Sequence, residues 1–236
     1  MPKKRKILAI IPARGGSKGI PNKAIKNFCG KPLIYYTIKE AKKSGLFDKI
    51  VVSTDSPKIA GVAEKFGALV PCLRPAKLAR DKSNVADAVV HMLDYLRKSE
   101  NYNPQAFFLL QPTSPLRDST DILKSWKIFR RAKTKALTSV CRKKHQILNI
   151  VKSRIKTVSL GPLNRGDLPD AFEQDGMIYI VNTKFFLKNK IFEPEWKTAA
   201  YISPKWKAVD IDDMEDFKLA ETLYKNRAFL KKYELG

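Results

Sequence analysis

Three short stretches carry residue types at spacings that suit phosphate chemistry. The first is "IIPARGGSKGIPNKAI", residues 10 to 25, which sets Gly15, Gly16 and Gly19 among Arg14, Lys18 and Lys23 after an apolar run. Glycines let backbone N–H groups approach an anion closely, and the cations supply charge. Two common phosphate loops are excluded by spacing. A Walker A loop needs Gly, four residues, then Gly-Lys-Ser/Thr, whereas Ile20 stands where the second glycine would fall. A dinucleotide fingerprint needs G-x-G-x-x-G, whereas Gly15 and Gly16 are adjacent. A basic surface turn is the plain alternative.

The second stretch is "AVDIDD", where Asp210 and Asp212 are two apart and would share one face of a strand. Paired carboxylates repel unless a cation sits between them, and Mg2+ is the natural partner beside phosphates. Asp212 also reads as a helix N-cap, with Glu215 completing a capping-box-like pattern. That reading leaves Asp210 unexplained. The third stretch is "LLQPTSPLRD". There an apolar run breaks into a proline-fixed turn that offers the Gln111 amide and then Arg117.

These residues need elements to hold them. Ile7–Ile11 reads as a buried strand, and "PLIYYTIKEAKKSG" as a helix ending at Gly45. "KIVVSTD" is a second strand, ending at Asp55. A helix follows, with Ser56 as N-cap and Pro57 at its first position. "ALVPCLR" reads as a short strand. "VADAVVHMLDYLRK" is helical, with Val85, Val89, Met92, Leu93 and Leu96 on one face. "QAFFLLQ" is a strong strand, a helix runs from about Ser119 to Ala132, and "ALTSVC" is a strand. Such alternation predicts a doubly wound, mostly parallel α/β sheet, whose ligands sit off the carboxyl ends of the strands. Arg14 to Lys23, Asp55 and Gln111 to Arg117 all fall at that rim. Residues 143–174 break the pattern and read as an inserted β-rich arm in a single domain spanning 1–236. "GMIYIVN" resumes a buried strand, "AVDID" is a short strand, and a closing helix carries Met214, Phe217, Ala220 and Tyr224 in phase.

Composition narrows the class. With 236 residues, 44% of them hydrophobic, the chain suits one sizeable domain. No apolar stretch approaches a membrane span, and the first apolar run is too short for a signal sequence. Cys29, Cys72 and Cys141 lie far apart with no metal spacing, which predicts reduced thiols in the cytoplasm. Lys and Arg total 46 against 23 Asp and Glu, for a net charge of +23. Nucleic acid, anionic substrates and solvated lysine-rich faces each account for such a balance. The lysines are scattered and no RNA-binding aromatic signature appears, so the last two readings are favoured together. "PKKRK" also matches a nuclear address, but it abuts the first strand.

Taken together, the motifs identify a family. The chain resembles the CMP-sialic acid synthetases, cytidylyltransferases that activate nonulosonic acids. The resemblance rests on "IPARGGSKGIPNK", "VVSTDS", "LRPAKLARD", "LQPTSPLR", "LPDAF…GMIYI" and "VDIDDMEDF", which span nearly the whole chain. The first motif alone would admit the 3-deoxy-manno-octulosonate enzymes, and "LQPTSPLR" points to the nonulosonate branch.

The resemblance implies transfer of CMP from CTP to a nine-carbon 2-keto acid sugar, with release of pyrophosphate. It implies that Arg14, Gly15, Gly16, Ser17 and Lys23 wrap the triphosphate, with Arg74 and Ser83 near the cytidine. Gln111, Arg165, Tyr179 and Phe192 would contact the sugar. Asp210 and Asp212 would hold Mg2+, with Mn2+ as a substitute, and Arg14, Lys23 and both aspartates would be catalytic. The arm would cross to a partner subunit in a homodimer. Five positions depart from the family pattern: Ala24 replaces an asparagine after the loop lysine, and Val85 a serine near the base. Asn149 replaces a basic residue, and Glu173 and Asp175 replace an arginine and an asparagine. Two acidic groups thus fall where an acidic sugar is expected. The alternatives are a 3-deoxy-manno-octulosonate or other sugar nucleotidyltransferase and, more remotely, a basic nucleic-acid-binding protein on an inactive scaffold.

Overall fold

The computed structural model describes residues 6–17, 19–81, 83–143, 148–151, 154–157 and 171–234. In chain order the elements are β1 (Ile7–Pro12), β2 (Asn27–Phe28), β3 (Lys31–Pro32), α1 (Leu33–Lys43), β4 (Lys49–Ser53), α2 (Pro57–Lys65), α3 (Val85–Glu100) and β5 (Ala106–Leu109). There follow α4 (Ser119–Ala132), β6 (Ala136–Lys143), β7 (Leu148–Val151), β8 (Arg154–Thr157) and β9 (Ala171–Asn182). The chain then forms α5 (Thr183–Asn189), β10 (Thr198–Ser203), α6 (Met214–Lys225) and α7 (Arg227–Leu230).

Six strands form one sheet in the order β10-β6-β9-β5-β1-β4. β1 runs parallel to both β4 and β5, and β10 runs parallel to β6. Alternation along β1 explains why the sheet is covered on both faces. Ile7, Ala9 and Ile11 enter one core with α1, α2 and α4, while Leu8 and Ile10 enter another with α3 and α5. A smaller apolar cluster holds Ile20, Phe28, Leu33, Tyr36, Ile211, Phe217 and Ala220. It fastens the segment after β1 to the segment before α6. Edge-on packing of Phe28 against Tyr36 (5.1 Å) and Phe217 (5.5 Å) stiffens it.

Several sequence expectations change. β9 is antiparallel to both β5 and β6, and it starts at Ala171 rather than at Gly176. Lys143 and residues 171–174 therefore belong to the main sheet, and the arm's described core is the separate β7–β8 hairpin. "ALVPCLR" forms no named strand, only an isolated bridge between Val51 and Leu69, because Pro71 interrupts pairing. "AVDID" is irregular chain, and the strand in this region is β10. Val85 opens α3 with 38% exposure instead of joining its apolar face. Asp213, not Asp212, caps α6, and Asp216 rather than Glu215 completes the capping box.

Two charged residues expected at functional positions are interior supports. Arg117 is 2% exposed and donates to Met177 O, Thr37 Oγ1 and Gln111 O. Asp175 is 5% exposed, accepting from the Ser139 and Ser203 hydroxyls and from Met177 N. It closes an irregularity between β6 and β9 that lies between Thr138 and Val140. Asp175 is thus committed to the backbone of β9, and Glu173 pairs with Lys143 at 3.0 Å.

Candidate functional site

The carboxyl end of β1, the turn after β5 and the segment before α6 enclose a cleft of ≈ 550 Å³. Arg14, Ser17, Lys23, Gln111, Asp210 and Asp212 all line it, together with Ala24 and Thr113. Each part is held from below. Asp55, at the end of β4, accepts the Gly15 N–H at 2.9 Å and fixes the entry of the loop. Ile20 anchors the middle of the loop in the small apolar cluster, and Ile211 anchors the acidic segment in the same cluster. A backbone bond from Ile211 N to Thr113 O (2.9 Å) ties that segment to the turn after β5.

Lys23 joins the two halves electrostatically. Its Nζ donates to Ile211 O at 2.5 Å and lies 3.5 Å from Asp212 Oδ1. Because α6 takes its cap from Asp213, the Asp212 side chain is left at the cleft mouth, 85% exposed. Two glycines set the fit. A Cβ on Gly19 would stand 2.2 Å from Asp212 O. A Cβ on Gly176 would stand 3.1 Å from Asp210 Oδ2 and 3.6 Å from Gln111 Nε2, and Gly176 has φ +69°. β9 therefore passes close behind the Asp210 carboxylate and the Gln111 amide. Desolvation raises the Asp210 carboxyl, and the Asp212 charge raises it further, while Thr113 and Lys23 oppose.

The other expected residues lie around this cleft rather than in its lining. Gly15 and Gly16 belong to the same loop, and Lys18 lies outside the described residues. Arg74 is buried beneath it, donating to Ser53 Oγ at 3.1 Å and Ser53 O at 2.5 Å. Burial pushes its guanidinium down, and Asp55 partly restores it. Ser83 donates to Lys77 O at 3.0 Å, in the segment whose Asp81 binds Arg14 at 2.9 Å. Tyr179 and Phe192 meet at 5.9 Å in the core beside α3 and α5, where burial pushes the Tyr179 hydroxyl up to about 12. Arg165 lies outside the described residues. Asn149 is on β7. Sequence reasoning missed Thr113 as a lining group and Gly19 and Gly176 as spacers. The Gln-Pro-Thr turn hinted at the first, but only tertiary contact reveals the spacers.

Among the described residues, no three His, Cys, Asp or Glu side chains gather into a ready metal cage. Asp213 also lines the cleft but caps α6, so the donor set left for a cation is the two carboxylates of Asp210 and Asp212, with hard oxygen atoms. That set suits Mg2+, which keeps several waters and takes one or two carboxylates beside substrate phosphates. Asp210, exposed toward the cleft yet crowded by the Asp212 charge, gains from a nearby cation.

Comparison with known proteins agrees with this geometry. A family model described as cytidylyltransferase matches residues 8–235. An N-acylneuraminate cytidylyltransferase of Escherichia coli O18:K1:H7 is 38% identical, over 97% of this chain and 55% of its own length. A CMP-N,N'-diacetyllegionaminic acid synthase of Legionella pneumophila is 35% identical, over 92% of this chain and 96% of its own. A pseudaminic acid cytidylyltransferase of Campylobacter jejuni is 33% identical, over 93% and 97%. The chain thus spans about half of the first relative and nearly all of the other two. In fold, it matches a CMP:2-keto-3-deoxy-manno-octonic acid synthetase solved with CTP, with TM-score 0.69 and 16% identity over 94% of this chain and 99% of that one. With the family model spanning nearly its whole length and relatives this similar covered almost end to end, the chain belongs to the cytidylyltransferase family.

Proposed function

We propose that this protein transfers CMP from CTP to the anomeric hydroxyl of a nine-carbon 2-keto acid sugar of the sialic, legionaminic or pseudaminic type, releasing pyrophosphate. The observation that carries the reading is the shared cleft, where Arg14, Ser17 and Lys23 face Gln111, Asp210 and Asp212. Relatives named for three such sugars support the substrate class. Beyond the first motif, the octulosonate alternative rests on fold likeness at 16% identity, which carries fold alone.

In this mechanism the β1 loop holds the triphosphate. Arg14 and Ser17 contact it from the loop, and Lys23 offsets the charge that gathers on the departing pyrophosphate. Gln111 orients the sugar so that its anomeric oxygen lies in line with the α-phosphorus, and most of the rate gain is positioning. Asp210 and Asp212 would hold Mg2+ or Mn2+. The metal would supply charge neutralisation and lower the pKa of a hydroxyl beside it. Lys23 exchanges its contact with Asp212 for phosphate as the cleft fills. Ala24 lines the cleft without a polar group, so base selection falls to backbone groups and the Arg74–Ser83 segment.

The arm supports a homodimer. A two-stranded hairpin is marginal alone in water, and β7–β8 forms a sheet separate from the main one, so a partner subunit is its natural cover. The site of action is the cytoplasm, where CTP is available. No described helix is long and apolar enough to cross a membrane.

The test is pyrophosphate release with CTP and Mg2+ across a panel of nonulosonic acids and the octulosonate. Release with at least one nonulosonic acid is expected. Release with the octulosonate alone would select the alternative substrate. Salt-sensitive nucleic-acid binding without any turnover would overturn the enzyme reading.

A further inference from the structure

Behind the turn after β5 lies a second, smaller pocket of ≈ 210 Å³, lined by α1, the end of that turn, Trp206 and α7. The front of the turn, Gln111 to Thr113, faces the catalytic cleft, whereas its back, Pro115 to Arg117, faces this pocket. Its floor holds an electrostatic anomaly. Arg117 is 2% exposed, yet its hydrogen bonds all go to neutral oxygens: two carbonyls and the Thr37 hydroxyl. Among the described residues, no carboxylate lies within ion-pair distance of it. Its Nε–H is buried without a partner, and so is the Nε1–H of Trp206 on the same pocket. Asp121, Asp175, Glu40 and Asp210 act on it only from beyond ion-pair distance, so its burial is incompletely compensated, and an unpaired buried donor adds to that cost.

The rim adds charge of the same sign. Lys39, Lys43, Arg227 and Lys231 line the pocket with Arg117, against Glu40 and Asp118. Both acids are already engaged. Glu40 accepts from Ser119 N at 3.0 Å and lies 3.9 Å from Lys39, while Asp118 binds Lys207 and Lys231 and caps α4. Among the described residues Lys43 has no carboxylate partner, and Arg227 is stacked 4.0 Å over the Tyr224 ring.

We propose that this pocket is a binding site for a compact phosphate-bearing anion. The Arg117 and Trp206 N–H groups are its directional donors, and Lys43 and Arg227 its rim charges. The volume is below the usual range for drug-sized ligands, about 300–1,000 Å³, so the occupant is a phosphate group or small phosphorylated molecule rather than a nucleotide. Planar guanidinium and indole donors fit phosphate oxygens.

The test is calorimetric titration of inorganic phosphate at fixed ionic strength. It is done in the Arg14→Ala/Lys23→Ala background, which disables anion binding in the catalytic cleft. One phosphate is expected to bind this background. Adding Lys43→Ala with Arg227→Ala weakens it at least about tenfold, and Trp206→Phe weakens it by a few-fold, on the order of one charged hydrogen bond. Thermal melting of each variant checks that the fold is kept, and these rim and indole changes avoid the interior Arg117. No binding in the cleft-disabled protein overturns the proposal, because it means that the two donors stay unpaired. Binding indifferent to all three pocket substitutions overturns it as well.

Discussion

Replacing Gly19 with alanine places a methyl carbon 2.2 Å from the carbonyl oxygen of Asp212. A Cβ contact of 3.0–3.4 Å is already tight, so the loop and the acidic segment must part by roughly 1 Å. Neither side yields easily. Ile20 and Ile211 sit in one buried cluster, and Ile211 N is bonded to Thr113 O. The shift therefore falls on Asp212 and on the Lys23 contact with Ile211 O. A displacement of about 1 Å at a group that positions reactants costs on the order of 100-fold in rate, or ~2.7 kcal/mol of barrier. Steady-state pyrophosphate release should show this loss in kcat, with a folded circular dichroism spectrum. Gly16→Ala is the control. A Cβ there meets nothing within 4 Å, so melting should be unchanged and only the CTP KM should rise if the triphosphate needs that backbone. A Gly19→Ala protein with the parent kcat would refute the claim that the two halves of the cleft are in register through this contact.

Other expectations follow from the same geometry. Gly176→Ala forces a side chain into φ +69° and against Asp210 Oδ2. It should cost about 1–2 kcal/mol, read as a lower melting temperature together with reduced activity. Asp212→Ala should abolish Mg2+-dependent turnover while the melting temperature holds, because the α6 cap belongs to Asp213. Lys207→Met leaves Asp118, Asp121 and Glu234 without their buried cation and should cost about 3–5 kcal/mol in urea denaturation. Burial raises the Asp118 carboxyl, but bonds and charge from Lys231 and Lys207 prevail and hold it well below 3.8. Its folded value is depressed, so its contribution is present above the ordinary carboxylate range and is lost as pH falls through the lower folded value. Asp118→Asn keeps a capping side chain and should flatten the acid limb of melting temperature against pH.

The alternation of apolar strands and amphipathic helices was legible because β1, β5, α3 and α4 have strong local periodicity. The cleft was legible as a cluster of rim loops, since Arg14, Lys23 and Gln111 follow β1 and β5 directly. What local pattern cannot carry is the choice between neighbouring residues with the same chemistry. Asp212 and Asp213 both suit an N-cap, and the buried Ile211 decides which one reaches the helix. The alternation in "AVDID" resembled a strand although that segment pairs through a single backbone bond to Thr113. Arg117 and Asp175 looked like site residues because sequence gives charge without depth. Both are buried by a β9 that reverses the sheet direction, which no periodicity announces. Gly19 and Gly176 matter through contacts spanning distant parts of the chain.

The most direct measurement uses a nonulosonic acid labelled with 18O at its anomeric hydroxyl, CTP and Mg2+, with products weighed by mass spectrometry. A CMP-sugar that carries the label in its phosphoester is expected together with unlabelled pyrophosphate in equal amount, both lost in Asp212→Ala. Failure to form a CMP-sugar from any nonulosonic acid, or label recovered in pyrophosphate, would contradict the proposed transfer.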